Sequence, residues 1–292
     1  MNWILFSILA AFVWALGNVL DKYIFNKWIK EPNVALLFFG FFGLISSLIV
    51  FWYSGFTYLN FHQLTTVGLV GFVYVVACKL YYTALKSGEV SVVVPLIYLD
   101  PLFTAMFAGI FINELFPAYK YIGVCLIVFG AMLISFKDAG SLKLNKAVGL
   151  AVLSAIFFGA YNVILKSLLS EMNFWKVFAY VRFSTFVFLI PLYFVYFKQM
   201  VMILKQPKAF SVVGVSNVFS FTGILFYTLA TSLTFITFTS TLTALQPFFV
   251  LMITLFLSIF APKIFKEETS RRHFVQKVAA MVLMFVGIYL TS

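Results

Sequence analysis

The feature that most restricts this chain is a recurrence of long apolar runs, ten in all, around residues 2–21, 33–53, 64–85, 91–113, 119–136, 147–168, 174–197, 208–230, 235–260 and 274–291. A helix needs about 20 such residues to cross the hydrocarbon core of a bilayer. A membrane β-barrel is excluded, because its strands are segments of roughly ten residues that alternate in polarity. The sequence is 63% hydrophobic, 10% charged and contains 39 phenylalanines, more apolar surface than a water-soluble fold of this length can hide. The predicted fold class is an all-α polytopic membrane protein with ten transmembrane helices. The connections are too short for a soluble domain. The first run lacks the basic flank of a signal peptide and is read as a retained helix.

The runs fall into two related sets. Residues 8–22 lie over 152–166 at a constant offset, which aligns Asn18 with Asn162 and Lys22 with Lys166. Further on, Tyr82-Thr83 aligns with Tyr227-Thr228, and Asp100-Pro101 with Gln246-Pro247. Polar and helix-breaking residues at equal depths are the matches that chance rarely supplies. The expected organisation is a five-helix unit over 1–137, a connector over 138–145 and a second unit over 146–292. Five is odd, so the second unit is inserted upside down. Such a 5+5 inverted-topology repeat exposes a midplane site alternately to either side, the architecture of many secondary transporters.

Charges inside the membrane point to the site. A Lys, Arg or Asp near a helix centre costs about 2.5–3.5 kcal/mol, so it marks a functional position by default. Lys79, Asp100 and Arg182 lie deep in their runs at similar levels and are expected to share one cavity. Two readings stand. Permanent ion pairs would pin the helices together, whereas a wet cavity would bind a charged or zwitterionic solute, with Asp100 as proton-coupling candidate. Pro95, Pro101 and Pro247 are the expected helix breaks, at matching depths in the fourth and ninth spans. Trp14, Asn18, Tyr82, Tyr98, Tyr161, Asn162, Tyr227 and Gln246 complete the candidate lining, since aromatic faces hold cations or apolar groups and their polar tips orient them.

Other chemistry is poorly represented. Cys78 and Cys125 fall within spans, and His62 and His273 are isolated, so no metal site, cofactor or catalytic set is expected and the chain is not read as an enzyme. An intramembrane enzyme or a receptor-like protein is the alternative from a different class. The net charge of +11 is an orientation signal, and no nucleic-acid partner is invoked. Most of the Lys and Arg residues lie in the loops after odd-numbered spans. By the positive-inside rule those loops are cytoplasmic and both termini lie outside. Gly123 and Gly130, with Ala280 and Gly287, form small-residue faces suited to close packing within the chain or across a homodimer.

The chain resembles the EamA type of the drug/metabolite transporter superfamily over essentially its whole length. The resemblance rests on the five-plus-five pattern, on Asn113-Glu114-Leu115 closing the fourth span, on Gly123 and Gly130 in the fifth, and on Glu267-Glu268 and Gly287 in the second half. Asn113 stands where the family often has Gly, and residues 260–265 lengthen the exit of the ninth span. The resemblance implies a multi-pass carrier of the plasma membrane, with lipid and a small-molecule solute as partners, and with both termini inside, against the charge count. The expected function is alternating-access transport of a small polar metabolite, an amino acid or related zwitterion suiting the triad best, with export the expected direction. An anionic metabolite, or an amine or drug, is the alternative within the class.

Overall fold

A computed structural model describes residues 2–88, 90–135, 146–260 and 271–291. Its helices are α1 Asn2–Lys27, α2 Pro32–Ser54, α3 Phe61–Ser87, α4 Val90–Ile97, α5 Asp100–Phe111, α6 Ala118–Ser135, α7 Lys146–Glu171, α8 Phe174–Leu204, α9 Pro207–Leu233, α10 Ile236–Thr243, α11 Gln246–Phe260 and α12 Arg271–Thr291. Among the described residues, nine spans are long and apolar enough to cross a membrane, and α12 adds a shorter apolar stretch, Val275–Thr291. The expected all-helical, polytopic architecture is observed. The connector 138–145, Glu267-Glu268 and most of 260–265 lie outside the described residues, as does the side chain of His273.

Local sequence sets the helix ends. Asn60 and Gln63 form a reciprocal capping box at the start of α3, with Gln63 N donating to Asn60 Oδ1 at 2.8 Å and Asn60 N to Gln63 Oε1 at 3.3 Å. Asn173 caps α8 by accepting from the N–H groups of Trp175 and Lys176. Such caps satisfy amide donors that a helix leaves unpaired at its first turn. Pro32 and Pro207 open α2 and α9, where the missing N–H costs nothing.

The fourth and ninth spans are each two helices. The chain breaks at Tyr98–Leu99 and again at Ala244–Leu245, held by short i to i+3 bonds such as Leu99 N to Leu96 O at 3.3 Å and Leu245 N to Leu242 O at 3.1 Å. Pro101 and Pro247 are the second residues of α5 and α11. They begin new helices rather than kinking continuous ones, because proline lacks a donor and its ring excludes the preceding turn. Pro95 lies inside α4.

The helices pack in mirrored pairs. Helix α1 lies along α9 as α3 lies along α7; α2 pairs with α8 and α6 with α12; the broken span α4–α5 rests on α7, and α10–α11 on α1. Exchanging the halves maps each pairing onto another or onto itself, the pattern an inverted repeat generates. The small-residue faces meet within the chain: a Cβ built on Gly123 would stand 2.8 Å from the Gly287 carbonyl oxygen, so only glycine permits this approach of α6 to α12.

Alternation of spans defines two faces. One carries the ends of α1, α3 and α8 with Lys27, Lys86 and Lys205, and is called here the basic face. The other carries both described ends of the chain, Asn2 and Thr291, and is called the terminal face. Exposed Trp52, Tyr58 and Tyr289 lie near the terminal face, where amphipathic rings suit the lipid headgroup level.

Candidate functional site

At the break of the fourth span, the first turn of α5 is pressed against α7. Gly159 makes this possible, since a Cβ there would stand 2.7 Å from Phe103 Cβ and 3.0 Å from the Thr104 amide. The contact delivers Asn162, 4% exposed, to α5. Its Nδ2 donates to Thr104 Oγ1 at 3.0 Å and to Asp100 Oδ2 at 3.3 Å. Its Oδ1 accepts from the Tyr227 hydroxyl of α9 at 2.7 Å. Thr104 donates in turn to the Asp100 carbonyl at 2.8 Å. The Trp14 ring lies 5.5 Å from Tyr227, with its Nε1 donating to the Ser220 carbonyl at 3.1 Å. Thus Asp100, Asn162, Tyr227 and Trp14 are brought together, from α5, α7, α9 and α1.

The expected meeting of Lys79, Asp100 and Arg182 does not occur. Among the described residues none of the three lies within ion-pair distance of another or of any other charged partner. Lys79 turns its ammonium toward the basic face and donates to Asn33 Oδ1 at 2.6 Å, because its long stem lets the charge leave the apolar interior. Asn33 also bonds Glu31, which pairs with Lys86 at 2.7 Å. Partial burial pushes the Glu31 carboxyl up, but hydrogen bonds from Lys86 and Asn33 and the Lys86 charge outweigh it and hold the group below its ordinary 4.5.

Arg182 is 1% exposed. Nη2 donates to the Tyr161 hydroxyl at 3.2 Å, and the guanidinium carbon lies 5.1 Å from the Tyr74 ring centre and 5.8 Å from that of Phe39. Nη1 has no hydrogen-bond partner among the described residues. Cation–π contacts contribute about 2 kcal/mol when desolvated, less than the several kcal/mol it costs to bury a charge unpaired. The burial cost of the guanidinium is therefore only partly offset by these contacts.

The residues aligned with this set behave differently. Asn18 is exposed, and Asn18, Tyr82 and Gln246 are not hydrogen-bonded to one another through their side chains. Tyr82 lies beside Tyr81, ring centres 5.3 Å apart. Tyr98 packs with Ile127, Leu242 and Met284 in the core between α1, α6 and α12. Near the terminal face Glu114, 5% exposed, accepts from the N–H groups of Ile236 and Thr237 at 3.1 and 3.3 Å and from the Thr237 hydroxyl at 3.1 Å, bridging the first half to the start of α10. Lys166 donates to the carbonyls of Thr231 and Thr234 at 2.8 and 2.6 Å. Lys22, aligned with Lys166, is exposed. Sequence reasoning had noted Glu114 only as part of a motif and had missed Thr104 and Asp21. Asp21 was missed because the first span was expected to end at that residue, whereas α1 continues to Lys27.

Three comparisons with known proteins bear on this arrangement. An uncharacterized protein of Methanocaldococcus jannaschii is 26% identical over 136 residues, which make up 46% of this chain and 97% of that protein. A solved crystal structure superposes with a TM-score of 0.74 over 99% of this chain and 96% of its own, at 16% identity, a likeness of fold. Residues 1–136 match the sequence model of the EamA-like transporter family. Over that segment the chain is similar to the EamA-like transporter family, and its apolar helices make it a multi-pass membrane protein.

Proposed function

We propose that the protein is a secondary carrier of a small polar metabolite, an amino acid or related zwitterion, working by alternating access between two inverted five-helix units, 1–137 and 146–292. One observation carries the reading. Aligned residues of the two halves occupy different states: Tyr227, Asn162 and Asp100 form a bonded triad, while Tyr82, Asn18 and Gln246 do not. Two halves in unequal states are what rocking between mirror-related conformations requires. In this conformation the Asp100–Asn162 and Glu114–Thr237 bonds join the units on the terminal side, while the Asp21–Ser216 and Asn33–Tyr196 bonds join them on the basic side. Passage through the cycle would exchange the roles of the two sets.

The unpaired guanidinium of Arg182 is the subsite for a carboxylate, and Asp100 takes the ammonium or the coupling proton. The mirrored packing, and a relative matched over 97% of its length by 46% of this chain, support the five-helix unit as the building block. The positive-inside rule makes the basic face cytoplasmic and the loading direction outward. An anionic solute held by Arg182 alone is the second reading, favoured by the lack of any carboxylate beside that residue among the described residues.

The test is a thermal-shift screen of the purified protein against amino acids, amines, nucleotides and sugar phosphates, followed by counterflow of each hit in proteoliposomes. Saturable counterflow of an amino acid supports the reading. Counterflow confined to dianions selects the second one, and product formation without flux would remove the carrier assignment.

A further inference from the structure

Asp21 is a second carboxylate set within a membrane-spanning helix. It stands about 9 Å from the basic-face end of α1, at about 1.5 Å of rise per residue. Its Oδ1 accepts a short hydrogen bond from the Ser216 hydroxyl of α9. No cation lies within ion-pair distance of it among the described residues. The side chain faces a cavity of ≈ 60 Å³ between α1, α2, α3 and α9, with Ser216, Asn217, Ser220, Tyr82 and Phe39 in its wall. That volume is several times the roughly 10–15 Å³ that admits one water, enough for an aminomethyl group. Phe39 also faces the Arg182 guanidinium, so the cavity and the proposed carboxylate subsite share a wall.

The lining selects one class of ligand. A primary ammonium has three N–H donors and an apolar stem. Asp21 and the oxygens of Ser216, Ser220 and Asn217 supply acceptors on one side, while Phe39 supplies an aromatic wall on the other. A hard metal ion seeks oxygen all round, and the phenylalanine side offers none.

We propose that this cavity is an ammonium-binding vestibule, in which Asp21 receives a primary ammonium from the basic face before it reaches the midplane. Its place on a transport path rests on the carrier reading; its chemistry does not. The probe is propylammonium, titrated calorimetrically into the purified full-length chain in detergent at fixed ionic strength, with 1-propanol as uncharged control. Saturable binding is expected in the parent, at least about tenfold weaker in Asp21→Asn, with no binding of propanol. Ala35→Leu, which adds bulk to the cavity wall without touching the carboxylate, should weaken binding similarly and guards against misfolding of the first variant. Parent-like binding by Asp21→Asn, equal Asp21-dependent saturation by sodium, or no saturation in the parent would overturn the inference. Loss in Asp100→Asn alone would place the ammonium at the midplane and sink the vestibule while leaving the carrier reading intact. That reading fails separately, if no solute shows counterflow.

Discussion

The Tyr227 hydroxyl donates to Asn162 Oδ1 at 2.7 Å, and the aligned Tyr82 and Asn18 make no such bond. One hydrogen bond contributes about 1 kcal/mol net. Tyr227→Phe should therefore shift a two-state equilibrium about fivefold toward the state open at the terminal face. The check is thiol labelling: Asn18→Cys should react readily from the basic face, and more slowly once Tyr227→Phe is added. An unchanged rate would remove Tyr227 from the gate.

Among the described residues Asp100 has no cationic partner and bonds only to the neutral Asn162 side chain and its own backbone. Substituting it with Asn keeps shape and hydrogen-bonding capacity while removing a titratable group. Asp100→Asn is expected to retain counterflow within about tenfold and to lose accumulation driven by a pH gradient. Proteoliposome flux with and without the gradient separates the two. Loss of folding alone would make Asp100 structural.

Arg182 carries the sharpest contrast between stability and function. Removing a buried, unpaired charge relieves its desolvation cost, so Arg182→Gln should unfold at the same or a higher temperature. A carboxylate ligand loses its counter-ion and should bind about 30-fold or more weakly, from the 2–5 kcal/mol typical of a buried charged pair. Differential scanning fluorimetry with and without ligand reads both. A strongly destabilised Arg182→Gln would assign the residue to packing.

Helix α6 meets α12 backbone against backbone at its small residues. Backbone cannot yield as a flexible side chain does, so Gly123→Leu, aimed at the Gly287 carbonyl, should cost about 1–3 kcal/mol or more. Thermal unfolding in detergent measures it. Half-buried Gly68, with nothing within 4 Å of an added Cβ, should accept the same change with little effect.

Glu31 links stability to pH at the basic face. Its carboxyl is held below 4.5 by Lys86 and Asn33 against the effect of partial burial. A carboxyl depressed in the folded state contributes fully above its unfolded value, and the contribution fades as pH falls through the lowered folded value. Stability should thus be flat above pH 4.5 on this account and decline below it, by less than about 1 kcal/mol for a pair this exposed. Glu31→Gln should flatten that part of the profile, measured as unfolding temperature against pH.

The sequence by itself determined that the chain crosses the membrane repeatedly as helices, because uninterrupted apolar length leaves no other way to satisfy the backbone in lipid. It also located the two breaks, through Pro101 and Pro247, and singled out Asn162, Tyr227 and Asp100, through their alignment with Asn18, Tyr82 and Gln246. Tertiary structure decided which of those residues meet. Depth along a helix follows from residue count, but the direction of a side chain depends on helix rotation and on neighbours. That is why Lys79, at the right depth, turned to Asn33, and why Arg182 settled among Phe39, Tyr74 and Tyr161 rather than beside Asp100. Only packing could distinguish the bonded triad from its unbonded counterpart, since nearly the same residues occupy both and the difference between them is conformational.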